Sequence, residues 1–118
     1  MGMDLSGAGG YFRWTNSGWG EVLELGEEFG WAPTGTGPPR GELKADWQAG
    51  PYFGNDGQRF YARDARALAD ALERALEAIP VVQPPKRGRP ATRRFSPDEA
   101  AHLREFIEFC RAGSFRLF

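Results

Sequence analysis

Cysteine and histidine are nearly absent, since the 118 residues include one of each, Cys110 and His102. A single cysteine excludes an internal disulfide and favours a reducing compartment. One histidine and one cysteine cannot supply the ligands of a histidine-and-cysteine zinc site. Long apolar runs are absent too, because no stretch approaches the roughly 20 residues that span a bilayer. The N-terminus lacks a basic region followed by an apolar run, so we expect a cytoplasmic protein without a membrane segment.

Catalytic signatures are also missing. The sequence contains no G-x-S-x-G, no H-E-x-x-H and no P-loop. His102 lies at the border of the apolar stripe of its predicted helix and Cys110 in its middle, so they do not face one point as a nucleophilic pair must. We therefore predict no catalytic residue, no metal site and no cofactor. The alternative is an enzyme with a pair of carboxylates, which needs no fixed spacing but does need a deep polar pocket.

What the chain does have is aromatic residues, at 14%, in a composition typical of one globular domain. The net charge of −1 hides an asymmetry, because five of the 15 basic residues lie between positions 86 and 94. The remaining 10 basic and 16 acidic residues make an acidic body. Since such a body repels a phosphate backbone, we expect any contact with nucleic acid to be confined to the basic segment.

The clearest helix is predicted over residues 62–79. Its leucines recur every four residues, with alanine and isoleucine beside them, and its charges take the opposite face. Pro80 ends it. A second helix is predicted near 17–29, capped by Asn16 or Ser17 and followed by Gly30. The third, near 97–112, opens with a capping box of Ser96 and Glu99.

Short β-segments complete the prediction. Residues 11–14 are expected to be extended, after a flexible lead-in at residues 7–10. A small antiparallel β element is predicted around residues 51–61, with a hairpin turn at Gly54-Asn55-Asp56-Gly57, and the N- or C-terminal segment is a candidate to join it. Apolar and charged residues alternate at the start of residues 115–118. We expect this segment to add an edge strand or to pack its two phenylalanines against the body. The fold class is therefore α+β, as one domain of residues 1–118 with a basic, proline-rich linker at 80–95 between the second and third helices.

The favoured function is a non-catalytic protein-interaction or regulatory module with a protein partner. The candidate partner surface consists of aromatic residues in predicted loops and short strands. Any of them that stay exposed would mark the surface. They are Trp14, Trp31, Trp47, Tyr52 and Phe53.

The basic segment resembles the AT-hook, whose core is the sequence Arg87-Gly88-Arg89-Pro90 flanked by basic residues. The resemblance implies a second function, binding of AT-rich DNA. Arg87 and Arg89 would enter the minor groove, where the glycine between them allows close approach. Phosphates would be contacted by Lys86, Arg93 and Arg94. The alternative interpretation is a solvated tether between two helices.

Three longer stretches resemble a group of small uncharacterised bacterial proteins. They run from Gly10 to Trp14 with Gly30 to Thr36, from Tyr52 to Gln58 with the alanine–leucine helix that follows, and from Glu105 to Phe115. The resemblance covers most of the chain, excludes the linker, and implies no particular activity.

Overall fold

The computed structural model describes residues 2–48, 52–82 and 93–118. It is an α+β domain, as the sequence predicts, with three helices and a four-stranded antiparallel sheet. In chain order the elements are β1 (Gly2–Gly7), β2 (Gly10–Thr15), α1 (Asn16–Glu28), β3 (Arg59–Phe60), α2 (Ala62–Ala78), α3 (Pro97–Ala112) and β4 (Phe115–Leu117).

The helix predictions are confirmed to within one residue at each end. α3 matches the predicted 97–112, because the Ser96 hydroxyl accepts the Glu99 N–H and the Glu99 carboxylate accepts the Ser96 N–H. α1 starts one residue early, since Thr15 is the N-cap and its hydroxyl accepts the Gly18 N–H at 3.0 Å.

The N-terminal strand is the main feature that the sequence prediction missed. β1 forms a hairpin with β2, joined at Ala8 and Gly9, so the predicted flexible lead-in at residues 7–10 is wrong. Gly10 has a φ of +94°, which glycine adopts without strain. Only Met3 and Leu5 of β1 are buried, and two apolar positions are too short an alternation to predict a strand.

The sheet order is β2-β1-β4-β3, which places β4 inside the sheet rather than at the predicted edge. α1 and α3 pack against one face of the sheet, the inner face, and α2 packs against both of these helices. The aromatic core at the inner face includes Phe60 stacked on Phe115, with ring centroids 4.6 Å apart, and Trp19 edge-on to Phe106. These rings are fully or almost fully buried, and rings of this size supply the largest share of apolar area.

The predicted hairpin around residues 51–61 is wrong. Within its described part only Arg59–Phe60 is a strand, and it pairs with β4. The reason is the side chain of Gln58, which folds back and forms hydrogen bonds with the backbone of residues 54 and 56. Its amide nitrogen donates to the Gly54 carbonyl at 2.6 Å and its oxygen accepts the Asp56 N–H at 2.9 Å. These bonds replace the cross-strand ladder that a hairpin turn would need.

The two ends of the predicted linker lie side by side. Val82 N–H donates to the Phe95 carbonyl at 2.9 Å, and Phe95 N–H donates to the Pro80 carbonyl at 2.8 Å. Val82 and Phe95, near the two ends of the predicted linker, are therefore adjacent in the fold. In the part of the chain that the structure describes, no helix combines the length and the apolar character of a membrane span.

Candidate interaction surface on the outer face of the sheet

Strand alternation creates a polar outer face opposite the helices. Along each strand, side chains point alternately to the two faces, so the neighbours of the buried residues face outward. The side chains on this outer face are partly or largely exposed and mix aromatic, basic and hydroxyl groups. They are Asp4, Ser6, Tyr11, Arg13, Arg59 and Arg116.

The strand register aligns four of these side chains in one row. Tyr11 lies opposite Ser6, Ser6 opposite Arg116, and Arg116 opposite Arg59. Residues directly opposite each other are close enough to interact. The row therefore runs from an aromatic ring at one edge of the sheet to two guanidinium groups at the other.

Arg40, from the loop before the short 3-10 helix at Lys44–Asp46, joins the two row arginines. Together Arg40, Arg59 and Arg116 form what we call the arginine cluster. With Ser6 and Ser114 they line a concave region of about 280 Å³. The cluster brings three positive charges and two hydroxyl groups to one place.

Two of these arginines are held in position by hydrogen bonds. Arg116 is half-buried and donates through Nη1 to the Pro38 carbonyl at 3.2 Å and to the Gly57 carbonyl at 3.0 Å. Arg59 donates to the Ser114 hydroxyl at 3.3 Å and lies over the Tyr61 ring, 5.6 Å from its centroid. Fixed donors lose less entropy when they bind a ligand.

Among the described residues no carboxylate forms an ion pair with the arginine cluster, although Asp56 lines the adjoining concave region with Arg40 and Arg116. The ion pairs of the described residues involve Arg13, Arg93 and Arg111. Burial lowers the pKa of Arg116, and the positive charges of Arg40 and Arg59 lower it further. Three like charges repel each other, so an anion placed among them is attracted by all three.

Two aromatic rings are exposed on the same outer face. Tyr11 is 62% exposed and Phe118 is 48% exposed. The Tyr11 hydroxyl donates to the Asp4 carboxylate, a bond that raises the pKa of Tyr11 and ties the ring to the neighbouring strand. Phe118 is paired with Asp4 from the other side through two backbone hydrogen bonds of 3.1 and 2.8 Å. The Phe118 ring itself lies against Gly57 and lines a concave region with Arg40 and Arg116.

The predicted aromatic surface divides into buried, half-buried and exposed residues. Trp31 and Tyr52 are 4% and 8% exposed, so they belong to the core and offer no surface to a partner. Trp14 is half-buried, as is Trp47, whose Nε1 donates to the Thr36 hydroxyl at 3.3 Å. The Phe53 ring is 67% exposed and packs against α1 beside Gly20.

A buried carboxylate explains why Tyr52 is internal. Asp64, 2% exposed in the first turn of α2, accepts the Thr34 N–H at 3.1 Å and the Thr34 hydroxyl at 2.9 Å. It also accepts the Tyr52 hydroxyl at 3.2 Å. Burial, aided by the Asp64 charge, raises the pKa of Tyr52 to about 12. This network connects the loop after α1 to the start of α2. The carboxylate oxygens of Asp64 are occupied by donors from within the protein.

A second concave region, of about 380 Å³, lies between α1 and α3. Its walls include the Trp14 ring edge-on to His102, with centroids 4.4 Å apart, and the carboxylates of Glu21 and Glu99. Arg94 also lines it. The Trp14 indole nitrogen is buried without a hydrogen-bond partner among the described residues.

Lys86 and the AT-hook core, Arg87 to Pro90, lie outside the described residues. Of the predicted phosphate contacts, Arg93 forms an ion pair with Glu28 of α1, which raises the pKa of Arg93 and lowers that of Glu28. Arg93 is thus engaged with a helix that carries four glutamates.

In the described residues no three histidine, cysteine, aspartate or glutamate side chains gather into a group that could hold a metal ion. Cys110 is fully buried, and burial raises the pKa of its thiol. His102 is half-buried against Phe12 and Trp14, as its border position on α3 predicts.

The sequence prediction missed the arginine cluster. Its members are far apart in the chain and meet only through the strand order. The alternation of Phe115 to Phe118 does place Arg116 on the face opposite Leu117, which was the one available signal. Comparison with known proteins adds no further assignment, because no family model, no curated protein and no solved structure matches the chain.

Proposed function

We propose that this protein is a non-catalytic interaction module that binds an anionic partner through the outer face of its sheet. The observation that carries the proposal is the arginine cluster, three guanidinium groups at one concave surface with no described carboxylate paired to them. Holding like charges together costs free energy, and an anionic ligand offsets that cost.

The distribution of charge supports an oriented encounter. Each of the three helices carries four of the 16 acidic residues, whereas the helices hold only five of the 15 basic residues. The helix side is therefore acidic, and the arginine cluster lies on the opposite face of the sheet. Such a separation directs an anionic partner to the outer face and away from the helices.

The buried polar groups support the non-catalytic part of the proposal. Both oxygens of Asp64 accept hydrogen bonds from within the chain, Tyr52 has a pKa of about 12, and Cys110 is buried as a neutral thiol. A general base or nucleophile must reach a substrate with a pKa close to the working pH. Asp64 and Cys110 are buried away from any substrate, and Tyr52 keeps its proton at neutral pH. A cytoplasmic location belongs to the same proposal.

The test is the salt concentration at which the protein elutes from a heparin column. Arg40→Gln removes one charge of the cluster from a residue that makes no hydrogen bond or ion pair among those found. Arg104→Gln removes one charge from the acidic helix face of α3 and is the matched control. We expect Arg40→Gln to elute at lower salt than wild type and Arg104→Gln to elute with wild type. Equal shifts for both variants would show that only net charge matters.

Minor-groove binding of AT-rich DNA by residues 85–94 is a second candidate. The observation that bears on it is the backbone hydrogen bond from Val82 to Phe95, which places the residues on either side of the basic segment next to each other. The test is fluorescence anisotropy with AT-rich and GC-rich duplexes. Specific loss of AT-rich binding in Arg87→Ala/Arg89→Ala supports the hook, and equal binding of both duplexes by both proteins rejects it.

A further inference from the structure

We infer that the anionic partner of the outer face is a single-stranded nucleic acid, with phosphates on the arginine cluster and a base stacked on Tyr11. This inference rests on the proposed function and names its partner. The supporting observation is the combination, in one strand-to-strand row, of an exposed ring and fixed guanidinium groups. Proteins that bind single strands combine these two elements, a basic track for the backbone and aromatic platforms for the bases.

Tyr11 is suited to stacking because its orientation is fixed while its ring stays exposed. The hydroxyl is bonded to Asp4 on the adjacent strand, so the ring extends over the sheet toward β1. A ring held in this way loses little rotational freedom when a base stacks on it. Phe118, on the other side of Asp4, offers a second apolar ring face on the same surface.

The spacing of the row fits a short run of nucleotides. Adjacent strands are about 4.8 Å apart, so Arg116 lies two strands, roughly 10 Å, from Tyr11 and Arg59 lies one strand further. A base on Tyr11 and phosphates at the two arginines then belong to neighbouring nucleotides of one strand. Ser6, between Tyr11 and Arg116, adds a hydroxyl that can donate to a phosphate oxygen.

The exposed rings separate this partner from two other polyanions. In a duplex the bases are stacked on each other and do not present their faces to Tyr11, whereas unpaired bases do. An acidic polypeptide supplies charge for the arginine cluster but no planar ring for the aromatic platform.

The test is fluorescence anisotropy of a labelled ten-nucleotide oligothymidine over a series of salt concentrations. Tyr11→Leu removes the stacking ring, and Tyr11→Phe keeps it, so this pair isolates the ring with the basic linker unchanged in both. We expect binding about 5- to 150-fold weaker in Tyr11→Leu, the range for loss of one stacked base. Tyr11→Phe keeps the ring but loses the bond to Asp4 that fixes it, so its affinity should lie between those of wild type and Tyr11→Leu. Circular dichroism and a thermal melt check that both variants are folded.

The salt series tests the charge contribution separately. Each phosphate neutralised on a single strand contributes roughly −0.7 to the slope of log affinity against log salt concentration. Arg40→Gln should therefore flatten the slope by about 0.7, and Arg104→Gln should leave it unchanged. Equal affinity of Tyr11→Leu and Tyr11→Phe, or the absence of any oligothymidine binding at low salt, would overturn the inference.

A second arm with labelled polyglutamate separates this inference from the proposed function. If polyglutamate binds and Arg40→Gln weakens it while oligothymidine does not bind, the partner is an acidic polypeptide and only the inference fails. If neither polymer binds at low salt, both the inference and the proposed function fail.

Discussion

Replacement of Asp64 by alanine should be among the most destabilising single changes in this domain. The side chain is buried and receives three donors, namely the Thr34 N–H, the Thr34 hydroxyl and the Tyr52 hydroxyl. Asp64→Ala leaves these donors without their acceptor. It also removes a negative charge from the first turn of α2, where that charge interacts favourably with the helix dipole.

The expected loss can be estimated from these contacts. A hydrogen bond to a charged group contributes about 1.5–3 kcal/mol, and a donor left unpaired in the interior costs about 1–3 kcal/mol. The contributions are not additive, because the variant also regains the free energy spent in burying the carboxylate. We therefore expect the free energy of unfolding to fall by about 3 kcal/mol.

The assay is urea denaturation followed by tryptophan fluorescence. Trp31 is a local reporter, since its Nε1 donates to the Asp64 carbonyl at 3.0 Å. Asp98→Ala is the matched control, because Asp98 is also an acidic residue in the first turn of a helix but is exposed. It should lose only about 0.3–1 kcal/mol. A loss below 1 kcal/mol in Asp64→Ala, or one equal to that of Asp98→Ala, would refute the reasoning.

Four further predictions concern stability and reactivity. Burial raises the pKa of Tyr52 from 10.0 to about 12, so its protonated form adds to the free energy of unfolding fully below pH 10, and this addition is lost as the pH rises towards 12. In urea denaturation at alkaline pH, Tyr52→Phe should therefore show a smaller fall in stability than wild type. Gly7→Ala should destabilise by about 1–3 kcal/mol in the same assay, since the added Cβ would lie 2.5 Å from the Phe115 Cα. Cys110 should react with a thiol reagent only after unfolding, and fast labelling of the native protein would contradict its burial. Ser96→Ala should cost about 1 kcal/mol in thermal unfolding through loss of the capping box; a smaller loss in an Arg104→Ala control is expected.

The helices were predictable because their signals are local. The four-residue spacing of leucines fixed the buried face of α2, and the capping box at Ser96 fixed the start of α3. Each of these signals depends on residues within one or two turns. Local signals also predicted a buried Cys110 and a half-buried His102.

The sheet was predicted less well, because pairing is a long-range property. Gly2–Gly7 has too few apolar residues to indicate a strand, and its partner β4 is more than 100 positions away. The turn-like sequence at Gly54 to Gly57 indicated a hairpin, but the buried side chain of Gln58 makes the bonds that a partner strand would have made. Side-chain bonds of this kind compete with backbone ladders and leave no periodic signal.

The candidate site was predictable only in part for the same reason. Composition correctly indicated many aromatics, yet two of the five proposed surface residues, Trp31 and Tyr52, lie in the core. Local polarity alone did not reveal that Arg40, Arg59 and Arg116 converge. That convergence follows from the antiparallel pairing of β3 with β4 and from the path of one loop.

The most direct test of the central claim is to map a polyanion on the protein by two-dimensional ¹⁵N–¹H NMR. A heparin oligosaccharide would be titrated into the ¹⁵N-labelled full chain and the shifted amide signals assigned. The account predicts that the largest changes fall on the outer face, at Ser6, Tyr11, Arg59 and Arg116, and are reduced in Arg40→Gln. Changes confined to residues 83–95, or centred on the region between α1 and α3, would contradict it.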